Sequence, residues 1–263
     1  MKFELTSDEG LPLRGDFDVP RNARALIIVV HGFKGFKDWG FFPWLAEHLC
    51  SHRFVVCRFN MSRSGIGENP ESFDRLDLFA EDTYSRQVAD LQTVAKYAQS
   101  QFSGLPTFLL GHSRGGGVAL LSARGIPSLA GVVTWSAIAR ADRWDEPTKR
   151  EWRARGSMDV VNARTGQVMK MSTAILEDFE ANRHDILEAA SMLRVPLLAL
   201  HGKRDESVPP EESEQLVARL TDASHVVIEN ASHTYNASHP LLTLPLALTL
   251  AAEISARFIG GYC

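Results

Sequence analysis

The chain has 263 residues, 44 % of them hydrophobic, enough to bury the core of one full domain with an inserted subdomain. A net charge of −4 gives no basic field, which argues against a nucleic-acid partner. Cys50, Cys57 and Cys263 have neither disulfide-framework nor metal-site spacing, the N-terminus is too polar for a signal peptide, and no apolar run is long enough to span a bilayer, so a soluble cytoplasmic protein without a membrane partner is expected.

Residues 2–5 and 11–18 alternate apolar and polar around Ser7-Asp8-Glu9-Gly10, which predicts an antiparallel hairpin. Ala25 to Val30 is an unbroken apolar run, the mark of a strand buried on both faces, and it leads into His31-Gly32-Phe33-Lys34-Gly35. Helical spacing follows from Phe41 to Cys50, then a short buried strand from Phe54 to Cys57 and a polar, glycine-containing loop over 60–68. Val88, Leu91, Val94, Ala95 and Ala98 give the stretch from Glu81 to Gln101 one apolar helical face.

Leu105 to Leu110 predicts another strand, and it ends in Gly111-His112-Ser113-Arg114-Gly115, with a small-residue helical segment behind it. Strand, sharp turn and helix form the context in which Gly-x-Ser-x-Gly raises a serine hydroxyl above a sheet edge. Ala130 to Trp135 predicts the next buried strand. The strand–helix alternation to this point argues for a mostly parallel sheet covered by helices on both faces.

The alternation breaks over 138–192, where charged residues crowd together with Trp144, Trp152, Met158, Met169, Met171 and Phe179. Helical pieces are predicted at 146–155 and 172–192, and the segment is too long for a simple loop. It reads as an inserted lid or cap over a core formed by 1–137 and 193–263. Strand resumes at Val195 to Leu200, helix at Glu211 to Leu220, strand at His225 to Ile228, and a closing helix runs from Leu241 to Ile259.

A serine nucleophile needs a base to take its proton and a carboxylate to orient that base. Asp205 lies in the loop after the strand 195–200, and His233 in the loop after the strand 225–228. The chain order Ser113, Asp205, His233 is the one this strand–turn–helix architecture requires. Glu206 beside the acid and His239 before Pro240 are weaker competitors; His225, which opens a strand, and His112, which flanks the serine, read as structural. For a tetrahedral oxyanion the backbone N–H of Arg114 supplies one donor, and that of Phe33, after the first buried strand, is the expected second. The aromatics Phe33, Phe36, Trp39, Phe41, Phe42 and Trp44 read mainly as core, with a subset available to line an acyl pocket.

Taken together, the strand ending in His31-Gly32-Phe33, the loop Arg63-Ser64-Gly65-Ile66-Gly67, the Gly111–Gly115 motif, the run from Leu200 to Pro209 and Ala231-Ser232-His233 resemble the α/β-hydrolase family over nearly the whole chain. The short His-Gly-Phe segment and the insertion are most similar to its cinnamoyl/feruloyl-esterase and serine-aminopeptidase branches. The resemblance implies a serine nucleophile and an acyl-enzyme, with no metal or organic cofactor. A small-molecule ester with an apolar or aromatic acyl group is the expected substrate. An amide or peptide hydrolase is the nearer alternative, with Asp142, Asp145, Glu146 and Glu151 as an acidic cluster for a substrate amino group; a non-catalytic small-ligand binder is the more remote one. Pairing into a homodimer is compatible with the sequence and decided by no residue in it.

Overall fold

In the computed structural model, which describes residues 1–218 and 220–263, the chain opens with the predicted antiparallel hairpin, β1 (Lys2–Thr6) and β2 (Pro12–Asp18). β3 (Ala25–Val30) follows with every residue buried. α1 (Phe42–Ser51) leads into β4 (Phe54–Phe59), and after the polar loop comes a short helix, α2 (Leu76–Ala80), that the sequence pattern does not predict. α3 (Tyr84–Gln101) starts at Tyr84 rather than Glu81 because Thr83 caps it, its side chain accepting from Arg86 N–H at 3.3 Å.

β5 (Thr107–His112) extends beyond the apolar run into the glycine–serine motif, since Gly111 and His112 pair with Thr134 and Trp135 of β6 (Leu129–Trp135). α4 (Arg114–Ser122) lies between these strands in sequence. The segment before the next core strand holds α5 (Glu146–Arg155), an antiparallel hairpin of β7 (Ser157–Val161) and β8 (Val168–Ser172), then α6 (Ala174–Ala181) and α7 (Ile186–Ser191). β9 (Leu197–Gly202), α8 (Glu211–Val217), β10 (Ala223–Ile228) and α9 (Leu246–Gly260) complete the chain. Arg219, inside the stretch predicted as helix from Glu211 to Leu220, lies outside the described residues. The closing helix begins at Leu246 rather than Leu241 because Leu244 precedes Pro245, and a residue before proline is driven out of the helical region.

The main sheet has the order β1-β2-β4-β3-β5-β6-β9-β10. From β4 to β10 all pairings are parallel; only β1 and β2 run against their neighbours. Alternation along β3 divides the interior in two. Leu26, Ile28 and Val30 join Leu91 and Val94 of α3 and Val118 of α4 on one face. Ala25, Ile27 and Val29 join Leu45 and Leu49 of α1 and Leu248 and Ala252 of α9 on the other. This is the mostly parallel α/β architecture that the alternation of strands and helices predicts.

Within 138–192, α5 falls where predicted and α6 and α7 lie inside the predicted helical piece 172–192; the stretch between, for which the sequence pattern predicts no element, forms the β7–β8 hairpin. Met169 and Met171 are buried while Val168 and Lys170 are exposed, a two-residue period that belongs to a strand. Trp152 is buried, donates its ring N–H to Met171 O at 3.0 Å and meets Trp144 edge to face at 5.2 Å. Trp152, Met169 and Met171 are thereby continuous with the buried cluster of α3 and α4, and Trp144 and Phe179 pack against it.

The approach of α4 to β3 depends on a residue without a side chain. A Cβ on Gly115 would lie 2.3 Å from Val30 O and 2.4 Å from His31 O, both backbone atoms. Gly115→Ala is expected to destabilise the protein by about 1–3 kcal/mol through overpacking. Urea unfolding should show a lower midpoint at unchanged slope; a midpoint equal to wild type would mean that helix and strand separate freely.

Candidate active site

The turn between β5 and α4 forces Ser113 to φ 58°, ψ −125°, outside the regions open to most side chains. Several bonds hold it there. Ser113 N–H donates to Trp135 O at 2.8 Å, and its own carbonyl accepts from Gly116 N–H at 3.0 Å and Ile138 N–H at 3.4 Å. The half-buried side chain consequently stands at the C-terminal ends of the parallel strands, where α4 begins.

The loops after β9 and β10 bring the predicted acid and base together. Lys203 N–H donates to Ile228 O at 3.0 Å and Arg204 N–H to Ala231 O at 2.9 Å, lacing one loop to the other. Asp205 Oδ2 then meets His233 Nδ1 at 2.8 Å. The Asp205 side chain is fully buried, whereas that of His233 keeps 14 % exposure, so only the imidazole is reachable from outside. Asp205 Oδ1 accepts from Ser207 N–H at 2.9 Å and Val208 N–H at 2.8 Å, which fixes the carboxylate plane. Burial by itself would raise the Asp205 carboxyl; hydrogen bonds from His201 and His233 outweigh it and hold the group far below the ordinary carboxylate range.

Two further histidines contact this pair. His201 is completely buried, with Nε2 at 3.1 Å from Asp205 Oδ2 and 2.9 Å from Val208 O. Both neighbours are acceptors, so Nε2 carries the proton, which is shared between Val208 O and the carboxylate. His112 places Nε2 at 2.9 Å from His233 O, and its ring lies 4.8 Å from the His233 ring. A carbonyl only accepts, so His112 donates and pins the His233 backbone. Burial, helped by the charge of His233, pushes the His112 pKa down to about 3, and the ring stays neutral. His112 was expected only to pack on the sheet; it does pack edge to face on Phe41 at 5.3 Å, and the bond to His233 is additional.

The loop after β3 runs against the serine: a Cβ on Gly32 would lie 3.0 Å from Ser113 Cβ and 3.4 Å from its Oγ. His31 sets the orientation of the next peptide. Its Nε2 accepts from Met61 N–H at 3.2 Å, which leaves the proton on Nδ1 to donate to Gly32 O at 3.0 Å. Burial lowers the His31 pKa to about 4, so this neutral tautomer persists. In a planar trans peptide the N–H points away from the C=O, so tying down Gly32 O also fixes the Phe33 N–H. That N–H has no acceptor among the described residues, and Arg114 N–H, the first of α4, has none within its helix. The Arg114 side chain turns aside, its guanidinium 4.3 Å from the Tyr84 ring centroid, 5.5 Å from that of Phe33 and 3.4 Å from Asp82 Oδ2. Burial raises the Asp82 carboxyl to about 6 against the pull of that cation.

The competing candidates lie elsewhere. Glu206 is exposed next to Asp205 and makes no contact with His233. His239 accepts Gly40 N–H at 2.8 Å, pairs with Glu71 at 3.3 Å and stacks on Trp39. His225 bonds Ser213 at 2.7 Å, a structural contact as expected. Phe36, Phe41 and Phe42 are core, while Phe33 and Trp39 are half-buried at the edge of the loop.

The depressed Asp205 pKa has a thermodynamic consequence. A carboxyl whose pKa is lower in the folded than the unfolded state contributes stability above its unfolded pKa, near 4, and loses it as pH falls toward the folded value. The stability gap between wild type and Asp205→Asn is therefore expected to be open at pH 7 and to narrow below about pH 4. Urea unfolding of both proteins across that range tests it; a gap independent of pH contradicts the assigned ionisation.

The family model for serine aminopeptidases, S33, matches residues 21–154. A 2,6-dihydropseudooxynicotine hydrolase from Paenarthrobacter nicotinovorans is 30 % identical over 149 residues, covering 54 % of this chain and 35 % of that protein, so the match spans about a third of the relative's length. Est1E from Butyrivibrio proteoclasticus, in a structure with ferulic acid bound, superposes with a TM-score of 0.79 at 20 % identity, over 99 % of this chain and 98 % of that one. Mouse alpha/beta hydrolase domain-containing protein 10 superposes with a TM-score of 0.74 at 18 % identity, over 100 % of both chains. The last two likenesses are likenesses of fold, and they agree with the sheet described above. With half of its length matched by the family model and its whole length by the fold, the chain belongs to the serine aminopeptidase S33 family within the α/β-hydrolase superfamily of serine hydrolases.

Proposed function

We propose that the protein hydrolyses carboxylic esters of small or medium, apolar or aromatic acyl groups through an acyl-enzyme. The observation that carries this reading is the pairing of His233 with the buried Asp205 at 2.8 Å, at the same strand ends as the strained Ser113 turn. In the proposed cycle His233 takes the Ser113 proton as Oγ attacks the ester carbonyl. The Phe33 and Arg114 N–H groups stabilise the oxyanion, and Asp205 the imidazolium. His233 then protonates the leaving alcohol. Water, deprotonated by the same histidine, cleaves the acyl-enzyme and frees the acid. Every step is acid–base or nucleophilic chemistry of these side chains, and no metal or organic cofactor takes part.

The aromatic acid bound to Est1E supports an ester with an aromatic acyl group. We assign the segment 138–192 the role of a cap. Lys34, next to Phe33, donates to Val161 O at 2.9 Å, and Gln167 donates to Phe73 O at 3.0 Å, which ties the β7–β8 hairpin to the loops after β3 and β4. The proposed acyl pocket takes its aromatic wall from Phe33 and Trp39, since Trp152 is buried in the main core cluster.

The family's description favours a second reading, cleavage of amides with a free amino terminus. That reading needs uncommitted acids. Asp142 and Glu146 both pair with Lys149, Glu151 pairs with Arg155 at 2.7 Å, and Asp145 caps α5 through Thr148 N–H at 2.9 Å. The acids are thus already engaged, and we prefer the ester.

The test is turnover of p-nitrophenyl esters from acetate to decanoate, beside methyl ferulate and aminoacyl p-nitroanilides. Ester cleavage is expected to fall by about 10⁴-fold or more in Ser113→Ala, leaving what binding and the oxyanion donors supply. Retained turnover in that variant overturns the mechanism; preferential cleavage of the anilides moves the assignment to the peptidase reading.

A further inference from the structure

Away from the serine, α1 and α9 converge on three potential ligand atoms. His48 and His52 stand one turn apart on the last part of α1 and its cap, so both rings leave the same side of the helix. Glu253 faces them from α9. Its Oε1 is 3.4 Å from His48 Nε2 and 3.8 Å from His52 Nε2, and all three atoms lie within 4.8 Å of one another.

Ordinary ion pairing describes this cluster poorly. His48 Nε2 is shut off from solvent yet has no hydrogen-bond partner, its 3.4 Å approach to Glu253 included. A buried polar nitrogen left in that state is costly. The ring is also held in place, stacked on Trp44 with centroids 5.1 Å apart and tilted against His52 at 5.0 Å.

The spacing is that of a coordination shell. A tetrahedral ion with ligand distances of about 2.0–2.2 Å holds its ligand atoms about 3.3–3.6 Å apart. The separations of Glu253 Oε1 from the two imidazoles, 3.4 and 3.8 Å, match that spacing to within a few tenths of an ångström, and the three ligand atoms all lie within 4.8 Å of one another. Two imidazoles and a carboxylate suit zinc and its first-row neighbours rather than calcium or magnesium, which take oxygen shells.

We propose that His48 Nε2, His52 Nε2 and Glu253 Oε1 form a binding site for a divalent transition-metal ion of the zinc type, with water completing the shell. α1 ends where β4 begins, so the site lies at the opposite ends of the strands from Ser113. Its effect is structural: the ion clamps the closing helix α9 to α1 over one face of the sheet. It takes no part in the hydrolytic site and stands or falls independently of the ester assignment.

The experiment is calorimetric titration of EDTA-dialysed full-length protein with ZnCl₂, together with thermal unfolding in EDTA and in zinc. The wild type is expected to bind one equivalent and to unfold at a higher temperature when loaded, as any ligand of the native state requires. His52→Ala and Glu253→Gln, both at half-exposed positions, are each expected to weaken zinc binding by at least about tenfold and to abolish the rise in unfolding temperature. Absence of binding by the wild type at millimolar zinc overturns the proposal. So does binding that both variants retain, which would locate the ion elsewhere. The wild-type titration decides the first point whatever the variants' own stability.

Discussion

The arrangement of this molecule hangs on one strained residue. Ser113 holds a backbone conformation that costs of the order of 1–3 kcal/mol, and such a conformation persists only where its surroundings over-determine it. Here the surroundings are the β5–β6 ladder, which carries Ser113 N–H to Trp135 O, and the α4 helix, whose first turn closes on the Ser113 carbonyl. The backbone-to-backbone closeness of Gly115 to β3 lets α4 start at once after the turn. Strain in the turn and density in the core are thus two sides of one constraint: the helix can lift the serine because the sheet lets it come so close.

Around that turn the other candidate site residues are held by second contacts rather than by their own elements. Asp205 has all of its buried acceptor capacity occupied: two backbone N–H groups on one oxygen, His201 and His233 on the other. A carboxylate so surrounded stays ionised despite its burial, and an ionised, immobile carboxylate is what orients a histidine base. His112 fixes the backbone of His233, and His31 fixes the peptide that bears the Phe33 N–H. Three buried histidines therefore serve as neutral or donor groups around the one left partly open. In each case a ring nitrogen that faces a carbonyl or carboxylate must donate, so the surroundings set the tautomer.

The inserted segment is packed onto the core rather than tethered to it. Trp144 meets Trp152 and Phe179 within it, while Met169, Met171, Ile175 and Ile186 join the buried cluster of α3 and α4, and Asp178 accepts from Ser85 N–H at 3.1 Å. The bonds at Lys34 and Gln167 add to that apolar contact. Metal binding between α1 and α9 would add a strong local link where the packing is already apolar.

By itself the sequence determined the elements whose signal is local. Apolar runs gave the buried strands, helical periodicity gave α1 and α3, and the places where runs end in polar loops put Ser113, Asp205 and His233 at strand ends. What the sequence left unread falls into two kinds. The β7–β8 hairpin was legible in the alternation of Met169, Lys170 and Met171 but was masked by the density of charge around it. His201, His112 and the cluster of His48, His52 and Glu253 are of the other kind, because each acquires its role from a partner placed by the fold. His112 meets a carbonyl 121 residues away, a separation no local pattern encodes. Propensity and periodicity act over a turn or a strand, whereas hydrogen bonding and coordination act over about 3 Å in space. Only the assembled sheet, with β5 beside β6 and β9 beside β10, brings those two scales together.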